Sequence, residues 1–356
     1  MAEGEYKIAL IPGDGIGPEV IDAAKEVLRA VQELCKFRLA YKLAPCGDST
    51  KAETGDAVPE SSVKTFLESH ACLKGPVGET VMDVNRRFRF DFDLYANIRP
   101  AKSYPTITPP ALRPDIDLVV IRENTEGFYK AIEDQVAPGL WLTSGLYSEK
   151  ACKRIAKFSF EYARRRLKNG RGKGKVALAH KANVFRKSHG MFLNICKQLA
   201  GEYPDIEFSG YYADAMCALL VRQPQTFDVI LAENLIADLL SDLAGQVAGG
   251  LGMTAGTNIN YERKLGYFEP THGSAPDIAG TGKANPIGQI RSAALMLEFL
   301  GMAHGDDRCL RAAEMIERAI EDYLTKSNKM SLPVELGGNA STSKVGEAIA
   351  THLIKQ

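Results

Sequence analysis

Short runs of apolar residues alternate along this chain with longer segments in which apolar residues recur every three or four positions. The first run, 7–11, is β-prone, and a Gly-rich turn leads from it into a segment with helical spacing at 19–34. Further buried strands are predicted at 118–121, 176–179 and 229–231. Further helices are predicted at 148–167, 187–200, 236–247 and 286–300. Strands that alternate with helices predict an α/β fold with a largely parallel sheet.

The length of 356 residues predicts two domains, because one domain typically takes about 100–200 residues. Two stretches are candidate boundaries. Residues 100–114 are rich in Pro and Thr, and residues 249–260 are rich in Gly, Thr and Asn. A chain that crosses into a second domain at the first stretch and returns at the second would have discontinuous domains.

Lys plus Arg and Asp plus Glu balance at 44 each, so no net charge attracts nucleic acid or an anionic membrane. The basic tract at 164–175 is predicted to be a cationic helix end and a solvated turn. No uninterrupted apolar stretch of about 18 residues exists, and no signal peptide is indicated, so no membrane partner is expected. The seven Cys are scattered and form no C-x-x-C, a pattern typical of reduced thiols in the cytoplasm.

The first Gly-rich turn, Gly13-Asp14-Gly15-Ile16-Gly17, follows a strand and precedes a helix. It is not a G-x-G-x-x-G motif, because a proline stands at the last Gly position, so a Rossmann phosphate loop is not favoured. A tight turn that needs Gly backbone freedom and a cofactor loop both remain open.

Several arginines surround strand-like segments. Arg89 and Arg99 flank the segment 94–98, and Arg122 ends the strand predicted at 118–121. A guanidinium group matches a carboxylate bidentately, so this set suggests a substrate with two or three carboxylates. Solvated surface arginines are the alternative.

Two aspartates, Asp238 and Asp242, lie four positions apart in a predicted helix and therefore share one face. Like charges at this spacing repel by roughly a few tenths of a kcal/mol, so a compensating cation is expected. Carboxylate oxygens suit Mg²⁺ or Mn²⁺.

Two further groups are candidates for proton transfer. Lys181 directly follows a buried strand and could act as a base, and Tyr129 is a candidate proton donor, although either residue alone is more often structural. The loop 269–280, with Asn285 beyond it, is rich in small residues, and its backbone N–H groups could bind a phosphate.

Taken together and in order, these segments resemble the β-decarboxylating dehydrogenases, which include isocitrate, homoisocitrate and 3-isopropylmalate dehydrogenases. The matching motifs are IPGDGIGPE, LYANIRPAK, VIRENTEGFY, AHKANV, NLIADLLSD, FEPTHGSAPDIAG and ELGGNAST. The resemblance implies an isopropylmalate-dehydrogenase-like, two-domain α/β fold that is not a Rossmann fold. It implies a large cofactor-binding domain of residues 1–102 plus 255–356 and a small dimerisation domain of residues 103–254.

The resemblance also implies roles for individual residues in an active site shared by the two subunits of a homodimer, or of a tetramer. Arg89, Arg99 and Arg122 would bind the carboxylates of a malate-type substrate. Tyr129 would be the proton donor and Lys181 of the partner subunit the base. Asp238 and Asp242, with Asp214 of the partner subunit, would bind Mg²⁺ or Mn²⁺. The dinucleotide would be bound by His272, Gly273, Ser274, Ala275, Asp277, Ile278 and Asn285. An acid at Asp277 resembles NAD-using relatives, since it would repel the 2′-phosphate of NADP.

Which third substituent the substrate pocket accepts is expected to depend on the residues just before Arg89. Leucine-pathway relatives carry two apolar residues three and four positions before that arginine, where this chain has Arg86 and Asn85. Burying an alkyl group against these polar side chains is unfavourable, which predicts isocitrate or homoisocitrate first and 3-isopropylmalate second. Asp83 and the short loop 78–80 depart from the isocitrate pattern.

Two functions other than catalysis are less well supported by the sequence. A non-catalytic regulatory subunit of a heteromeric isocitrate dehydrogenase would lack the catalytic side chains, all of which are present here. An RNA-binding role for the tract 164–175 lacks interleaved aromatic residues.

Overall fold

The computed structural model describes residues 4–104 and 111–354. In these ranges the strands are β1 (Glu5–Ile11), β2 (Arg38–Leu43), β3 (Ala71–Lys74), β4 (Ala96–Lys102), β5 (Asp117–Glu123), β6 (Gly127–Ala137), β7 (Leu140–Leu146), β8 (Lys175–His180), β9 (Glu207–Tyr212), β10 (Val229–Ala232), β11 (Ala255–Asn260) and β12 (Leu265–Pro270). The α-helices are α1 (Gly17–Cys35), α2 (Asp48–Thr54), α3 (Glu60–Leu67), α4 (Val81–Asn85), α5 (Glu149–Lys168), α6 (Ser188–Ala200), α7 (Ala213–Arg222), α8 (Asn234–Ala248), α9 (Ile287–His304), α10 (Asp307–Lys326) and α11 (Thr342–Ile354). A π-helical turn, Arg86–Phe90, follows α4.

Each strand and helix predicted from the apolar pattern is present, with ends that differ by a few residues. In helix α1, for example, the apolar face predicted from the residue spacing is buried, and most of the polar positions between are exposed or partly exposed. It ends at Lys36, whose left-handed backbone (φ 58°) stops the helix.

The chain divides into two compact units. The first contains the described residues of 1–92, 104–114 and 249–356. Its strands lie in the order β2-β1-β3-β12-β11, all parallel except β11, which runs antiparallel to β12. Helices α1, α9, α10 and α11 pack against one another in this unit.

The second unit contains residues 93–103 and 115–248. Its strands lie in the order β4-β5-β10-β8-β9, and only the pairing of β4 with β5 is antiparallel. Helix α8 packs on this sheet through a core that includes Leu118, Val120, Ile230, Leu240 and Ala244. Strands β6 and β7 form a separate hairpin.

The boundaries of this division differ from the predicted ones. Strand β4 belongs to the second unit, because its residues pair with β5 from Ala96 to Lys102. Tyr104 belongs to the first unit, where its hydroxyl donates to Glu317 of α10 (2.8 Å). Residues 249–254 also join the first unit, since Arg291 of α9 donates to the Met253 carbonyl (2.7 Å). Pairing and hydrogen bonding, which composition does not reveal, set these limits. Residues 105–110 of the predicted boundary stretch lie outside the described residues.

The first Gly-rich turn is a packing element. Gly13 (φ 75°) and Gly15 (φ 57°) adopt left-handed backbones, and a Cβ on either would come within 2.0 Å of a carbonyl oxygen, that of Pro76 or Ser274. The Asp14 carboxylate accepts backbone N–H groups from Asp48 (2.9 Å) and Gly78 (3.0 Å). The tight-turn interpretation therefore accounts for the glycines.

Several cations of the basic tract at 164–175 are paired within the second unit. Arg166 donates to Asp228 (2.8 Å) and Asp117 (2.9 Å), and Arg164 pairs with Asp205. The ammonium of Lys173 donates to the Phe227 carbonyl (2.9 Å). These bonds support the structural interpretation of the tract over an RNA-binding surface.

In the described ranges, no helix has the length and apolar character needed to cross a membrane. The seven Cys are free thiols, and all but Cys217 are buried.

Candidate active site

The second unit gathers two arginines, two aspartates and a tyrosine, which we call the Asp238 network: Arg99, Arg122, Tyr129, Asp238 and Asp242. Arg122 lies near the end of β5, and the antiparallel pairing of β4 with β5 places Asn97 opposite it; Arg99, two residues further along β4, donates to Asn97 (2.9 Å). The acids lie one turn apart on α8. Arg122 donates to Asp238, while Arg99 is 3.1 Å from Asp238 and 3.3 Å from Asp242. The two guanidinium groups are the compensating cations predicted for the acid pair.

Tyr129 of β6 completes this network. Its hydroxyl donates to Asp238, and its ring lies over the Arg122 guanidinium, 4.7 Å from the ring centroid. Burial raises the pKa of Tyr129, and the hydrogen bond to Asp238 adds to this shift. The phenol therefore keeps its proton through the neutral range, as a proton donor requires.

Partial burial raises the pKa of Asp242, and Asp238 adds in the same direction, while Arg99 opposes the shift. Burial and the charge of Asp238 thus disfavour the ionised form of Asp242, so a bound cation would stabilise it. The oxygen donors of these two carboxylates fit a hard divalent cation.

The start of helix α8 is fixed by an acid that sequence reasoning missed. The buried Glu233 carboxylate accepts the backbone N–H groups of Leu235 (3.1 Å) and Ile236 (2.8 Å). Burial raises the pKa of Glu233. Asn234 accepts a hydrogen bond from Arg122 (2.8 Å) and so ties this cap to the arginine. An acid three residues before the predicted start of a helix was the available signal.

Ile236 and Ala237, which directly precede Asp238 in α8, serve packing. Ala237 is fully buried in the second-unit core, and Ile236 packs against that core from a partly exposed position.

Lys181 and Asp214 form a second group in the same unit. Lys181 follows β8, Asp214 lies in the first turn of α7, and the parallel pairing of β8 with β9 brings them together. The Lys181 ammonium donates to Asp214 (2.5 Å), and this hydrogen bond lowers the pKa of Asp214. Within residues 4–104 and 111–354, no three His, Cys, Asp or Glu side chains group around a possible metal position. Asp214 is therefore not brought together with the acid pair inside one chain.

Arg89 belongs to the first unit, in a buried cluster that we call the Glu269 network: Lys74, Arg89, Asn258, Tyr267 and Glu269. Lys74 (2.5 Å) and Arg89 (3.0 Å) both donate to the Glu269 carboxylate, and Asn258 donates to it as well (3.1 Å). Arg89 also donates to the Tyr267 hydroxyl (2.6 Å). Sequence reasoning identified only Arg89 here, because Lys74 reads as a strand residue and Glu269 as the start of a loop.

The two predicted specificity residues differ in exposure. Arg86 is exposed at the start of the π-helical turn, whereas Asn85 is partly buried. The Tyr267 hydroxyl donates to the Asn85 side-chain oxygen (3.1 Å), which links Asn85 to the Glu269 network.

The predicted dinucleotide loop lies in the first unit between β12 and α9. Its backbone is anchored to the first Gly-rich turn, because the Ser274 carbonyl accepts the Ile16 N–H (2.9 Å). Ala275 has a left-handed backbone (φ 39°), and it packs with Ile278 against Ile16 and Val20. Such anchoring fixes the loop before any ligand binds.

The polar residues of this loop differ in exposure and in hydrogen bonding. Gly273 and Asp277 are exposed. Burial lowers the pKa of His272, whose Nδ1 is 3.0 Å from the Gly273 carbonyl. Asn285 is buried and donates to Glu335 (2.8 Å), a residue of the C-terminal ELGGNAST motif that sequence reasoning did not assign to the site.

The chain was compared with known proteins. The family model for isocitrate/isopropylmalate dehydrogenase matches residues 7–349. The chain is 45% identical over 348 residues to a 3-isopropylmalate/3-methylmalate dehydrogenase of Methanocaldococcus jannaschii, covering 98% of this chain and 99% of that protein. It is 39% identical over 354 residues to an isocitrate/homoisocitrate dehydrogenase of Thermus thermophilus, covering 98% of each.

Among solved structures, an isocitrate dehydrogenase from Methylococcus capsulatus matches with a TM-score of 0.87 and 37% identity, covering 98% of this chain and 99% of that one. The match extends over both units and includes every segment that carries the residues described above. The chain therefore belongs to the isocitrate/isopropylmalate dehydrogenase family of NAD-linked, decarboxylating dehydrogenases.

Proposed function

We propose that this chain uses NAD and a divalent metal to oxidise and decarboxylate a 3-substituted malate, and that 3-isopropylmalate, or a malate with a similarly small alkyl group, is its substrate. The Asp238 network carries the proposal, because it combines cations for carboxylates, acids for a metal and a protonated phenol. Family membership supports the reaction class.

Arg99 and Arg122 would bind substrate carboxylates in this proposal. Each already contacts an aspartate oxygen, so both guanidinium groups are oriented for carboxylate geometry. Arg89 is assigned the same role in the first unit, where its contact with Glu269 holds the side chain in place.

Asp238 and Asp242 would bind Mg²⁺ or Mn²⁺ together with Asp214 of the partner subunit. The fit rests on the donor set, since all three are carboxylates and Asp214 is 71% exposed. When bound, the metal supplies Lewis acidity that lowers the pKa of the substrate hydroxyl, and NAD supplies the hydride acceptor.

The chain's own residues would move the protons. Lys181 of the partner subunit would accept the hydroxyl proton as a neutral amine, after its ammonium has released a proton to solvent, and its contact with Asp214 keeps the side chain oriented. Tyr129 would donate a proton to the carbon from which CO₂ departs, since its raised pKa keeps the phenol protonated.

NAD is proposed to bind at His272, Gly273, Ser274, Ala275, Asp277, Ile278 and Asn285. The exposed Asp277 carboxylate can accept hydrogen bonds from ribose hydroxyls and would repel a 2′-phosphate, which favours NAD over NADP. The anchored backbone of this loop supports the assignment, because a fixed loop loses little entropy on binding.

The choice of 3-isopropylmalate reverses the order predicted from Asn85 and Arg86. Three other archaeal relatives, at 41%, 40% and 36% identity, are also 3-isopropylmalate dehydrogenases. The side chain of Arg86 is exposed, so it can stay in water without being buried against an alkyl group. Isocitrate or homoisocitrate is the second candidate, because Asn85 and Arg86 suit a third carboxylate and the Thermus relative carries that name.

A homodimer is part of the proposal, because Lys181 and Asp214 are assigned to the partner's site. The β6-β7 hairpin supports self-association, since Val136, Leu140, Trp141 and Leu142 are each at least half exposed. A dimer that buries this surface would remove large apolar side chains from water.

The test is NADH formation by the purified chain with Mg²⁺ or Mn²⁺ against 3-isopropylmalate, 3-methylmalate, isocitrate, homoisocitrate, malate and tartrate. We expect the highest kcat/KM with 3-isopropylmalate or 3-methylmalate. A higher kcat/KM with isocitrate or homoisocitrate would favour the second candidate. In that case Arg86→Leu should shift preference towards 3-isopropylmalate. Absence of turnover with all six acids would contradict the catalytic assignment and favour a regulatory subunit.

A further inference from the structure

Two histidines hold the main chain around Lys181. His180 Nδ1 accepts the N–H of Ala182 (3.2 Å), and His189 Nδ1 accepts the N–H of Lys181 itself (3.1 Å). The Lys181 carbonyl accepts the N–H of Phe185 (2.9 Å). Both main-chain polar groups of Lys181 are therefore hydrogen-bonded.

His189 is the more informative of the two histidines. It lies in the first turn of α6 and is only 3% exposed. The rings of Phe185 (5.1 Å) and Tyr147 (5.2 Å) pack against it. Its other ring nitrogen, Nε2, has no hydrogen-bond partner among the described residues. An apolar residue could fill this place without burying a polar nitrogen. The hydrogen bond to Lys181 is therefore what a histidine provides here and an apolar residue would not.

The bond also fixes the state of the ring. Because the Lys181 N–H donates to Nδ1, the ring is neutral and carries its proton on Nε2. Burial lowers the pKa of His189 to about 4, and His180 acts in the same direction. The rings of Tyr147 and Phe185, which carry no charge, pack against the histidine. The acceptor therefore persists throughout the neutral range.

We propose that His189 is a positioning residue for the general base Lys181, an inference that rests on the proposed function. Lysine reaches its target through four rotatable bonds, so the place of its main chain decides where the amine can go. His189 fixes the main-chain end of Lys181, and Asp214 holds the ammonium end. A base held at both ends loses less entropy when it meets the substrate.

The experiment compares His189→Leu, His189→Asn, Lys181→Met and a matched control, Tyr147→Phe. Asn places an oxygen on the same carbon that carries Nδ1 and so retains the acceptor, whereas Leu removes it. Tyr147→Phe keeps the ring that packs on His189 and removes only the hydroxyl. For each variant we would measure kcat, KM, thermal unfolding and the primary deuterium isotope effect with substrate labelled at C2.

We expect His189→Leu to lower kcat about tenfold with KM changed less than about twofold, because misplacing a base affects the chemical step. The isotope effect on kcat should rise, since that step becomes more rate-limiting. His189→Asn should recover kcat to within about threefold of the unmodified chain, and Tyr147→Phe to within about twofold. Lys181→Met should lose nearly all turnover.

Unchanged kcat and isotope effect in His189→Leu would overturn the inference. So would a His189→Asn variant that is as slow and as unstable as His189→Leu, because the histidine would then serve only folding. Near-normal turnover by Lys181→Met would overturn both the base assignment and this inference. Failure of the unmodified chain to turn over any malate would instead overturn the proposed function.

Discussion

The Glu269 network of the first unit and the Asp238 network of the second both join arginines to carboxylates, yet they differ in access to water. The Glu269 side chain is 11% exposed, and Lys74 and Arg89 enclose its carboxylate. The side chains of Asp238 and Asp242 are 26% and 54% exposed. A carboxylate enclosed by cations contributes to folding, whereas carboxylates that remain exposed can exchange an arginine for a ligand. Loss of the Glu269 carboxylate should therefore act mainly on stability, and loss of the Asp238 carboxylate mainly on activity.

The largest effect is expected at the second network. Asp238→Asn removes one of the proposed metal ligands and the partner of Arg122 and Tyr129, so kcat/KM should fall by about a thousandfold. The free energy of unfolding should fall by about 1–2 kcal/mol, because the buried Arg122 loses the charge of Asp238 but keeps its hydrogen bond to Asn234. Steady-state kinetics and urea denaturation would measure both quantities.

Asp117→Asn is the matched control for that variant. Asp117 also pairs with an arginine of the second unit, Arg166 (2.9 Å), and is not assigned to the site. Its kcat/KM should stay within about threefold of the unmodified chain. Equal activity losses in the two variants would mean that Asp238 acts only through folding.

At the Glu269 network we expect a larger loss of stability than at the Asp238 network. Glu269→Gln leaves Lys74 and Arg89 buried beside a neutral amide, which should lower the free energy of unfolding by about 3 kcal/mol. Glu68→Gln is the control, because Glu68 pairs with Lys42 at the surface, and its loss should cost less than about 1 kcal/mol. Similar stabilities for the two variants would show that burial does not distinguish the networks.

The proposed dimer would form through the β6-β7 hairpin of the second unit and not through the first unit. Trp141→Glu places a charge on the β6-β7 hairpin, where the tryptophan is 63% exposed, and should weaken self-association by about thirtyfold. Leu43→Glu in the first unit, at a 65% exposed residue, is the control and should leave association unchanged. Sedimentation at several concentrations measures both. An unaltered dimer in Trp141→Glu would exclude the hairpin as the interface.

The smallest effect concerns the pH dependence of stability in the first unit. The rings of His70 and His304 are 5.3 Å apart, and burial lowers the pKa of both from the ordinary value of 6.5. The unfolded chain then binds protons more readily than the folded one, so this contribution to stability is complete above pH 6.5 and decreases as the pH falls below it. Replacing both residues with Gln should flatten the thermal unfolding midpoint across this range. An identical slope would contradict the assignment.

The apolar pattern was sufficient to predict strands β1, β5, β8 and β10 and helices α1, α5, α6, α8 and α9, because each buries one helix face or a short β-prone run. It did not predict other elements, such as helix α10. It did not reveal the β6-β7 hairpin. The exposed residues of this hairpin, including Trp141 and Leu142, do not follow the alternation of a half-buried strand.

The site was predictable where a residue type has a recognisable spacing, as with Asp238 and Asp242. It was not predictable where the partner is distant in the chain. Glu269 meets Lys74 across 195 positions, and His189 contacts Lys181 through a backbone N–H that has no sequence signature. The substrate order predicted from Asn85 and Arg86 differs from the names of the more similar relatives. The exposure of Arg86, which the sequence does not reveal, allows the other order.

The separation of the Lys181–Asp214 pair from the Asp238 network has a genetic consequence. If each catalytic centre takes these two groups from opposite chains, then Asp238→Asn and Lys181→Met damage different halves of it. Unfolding and refolding an equal mixture of the two inactive proteins would produce hybrids with one intact centre, restoring about a quarter of normal turnover. Two defective alleles expressed together would then complement each other in a cell.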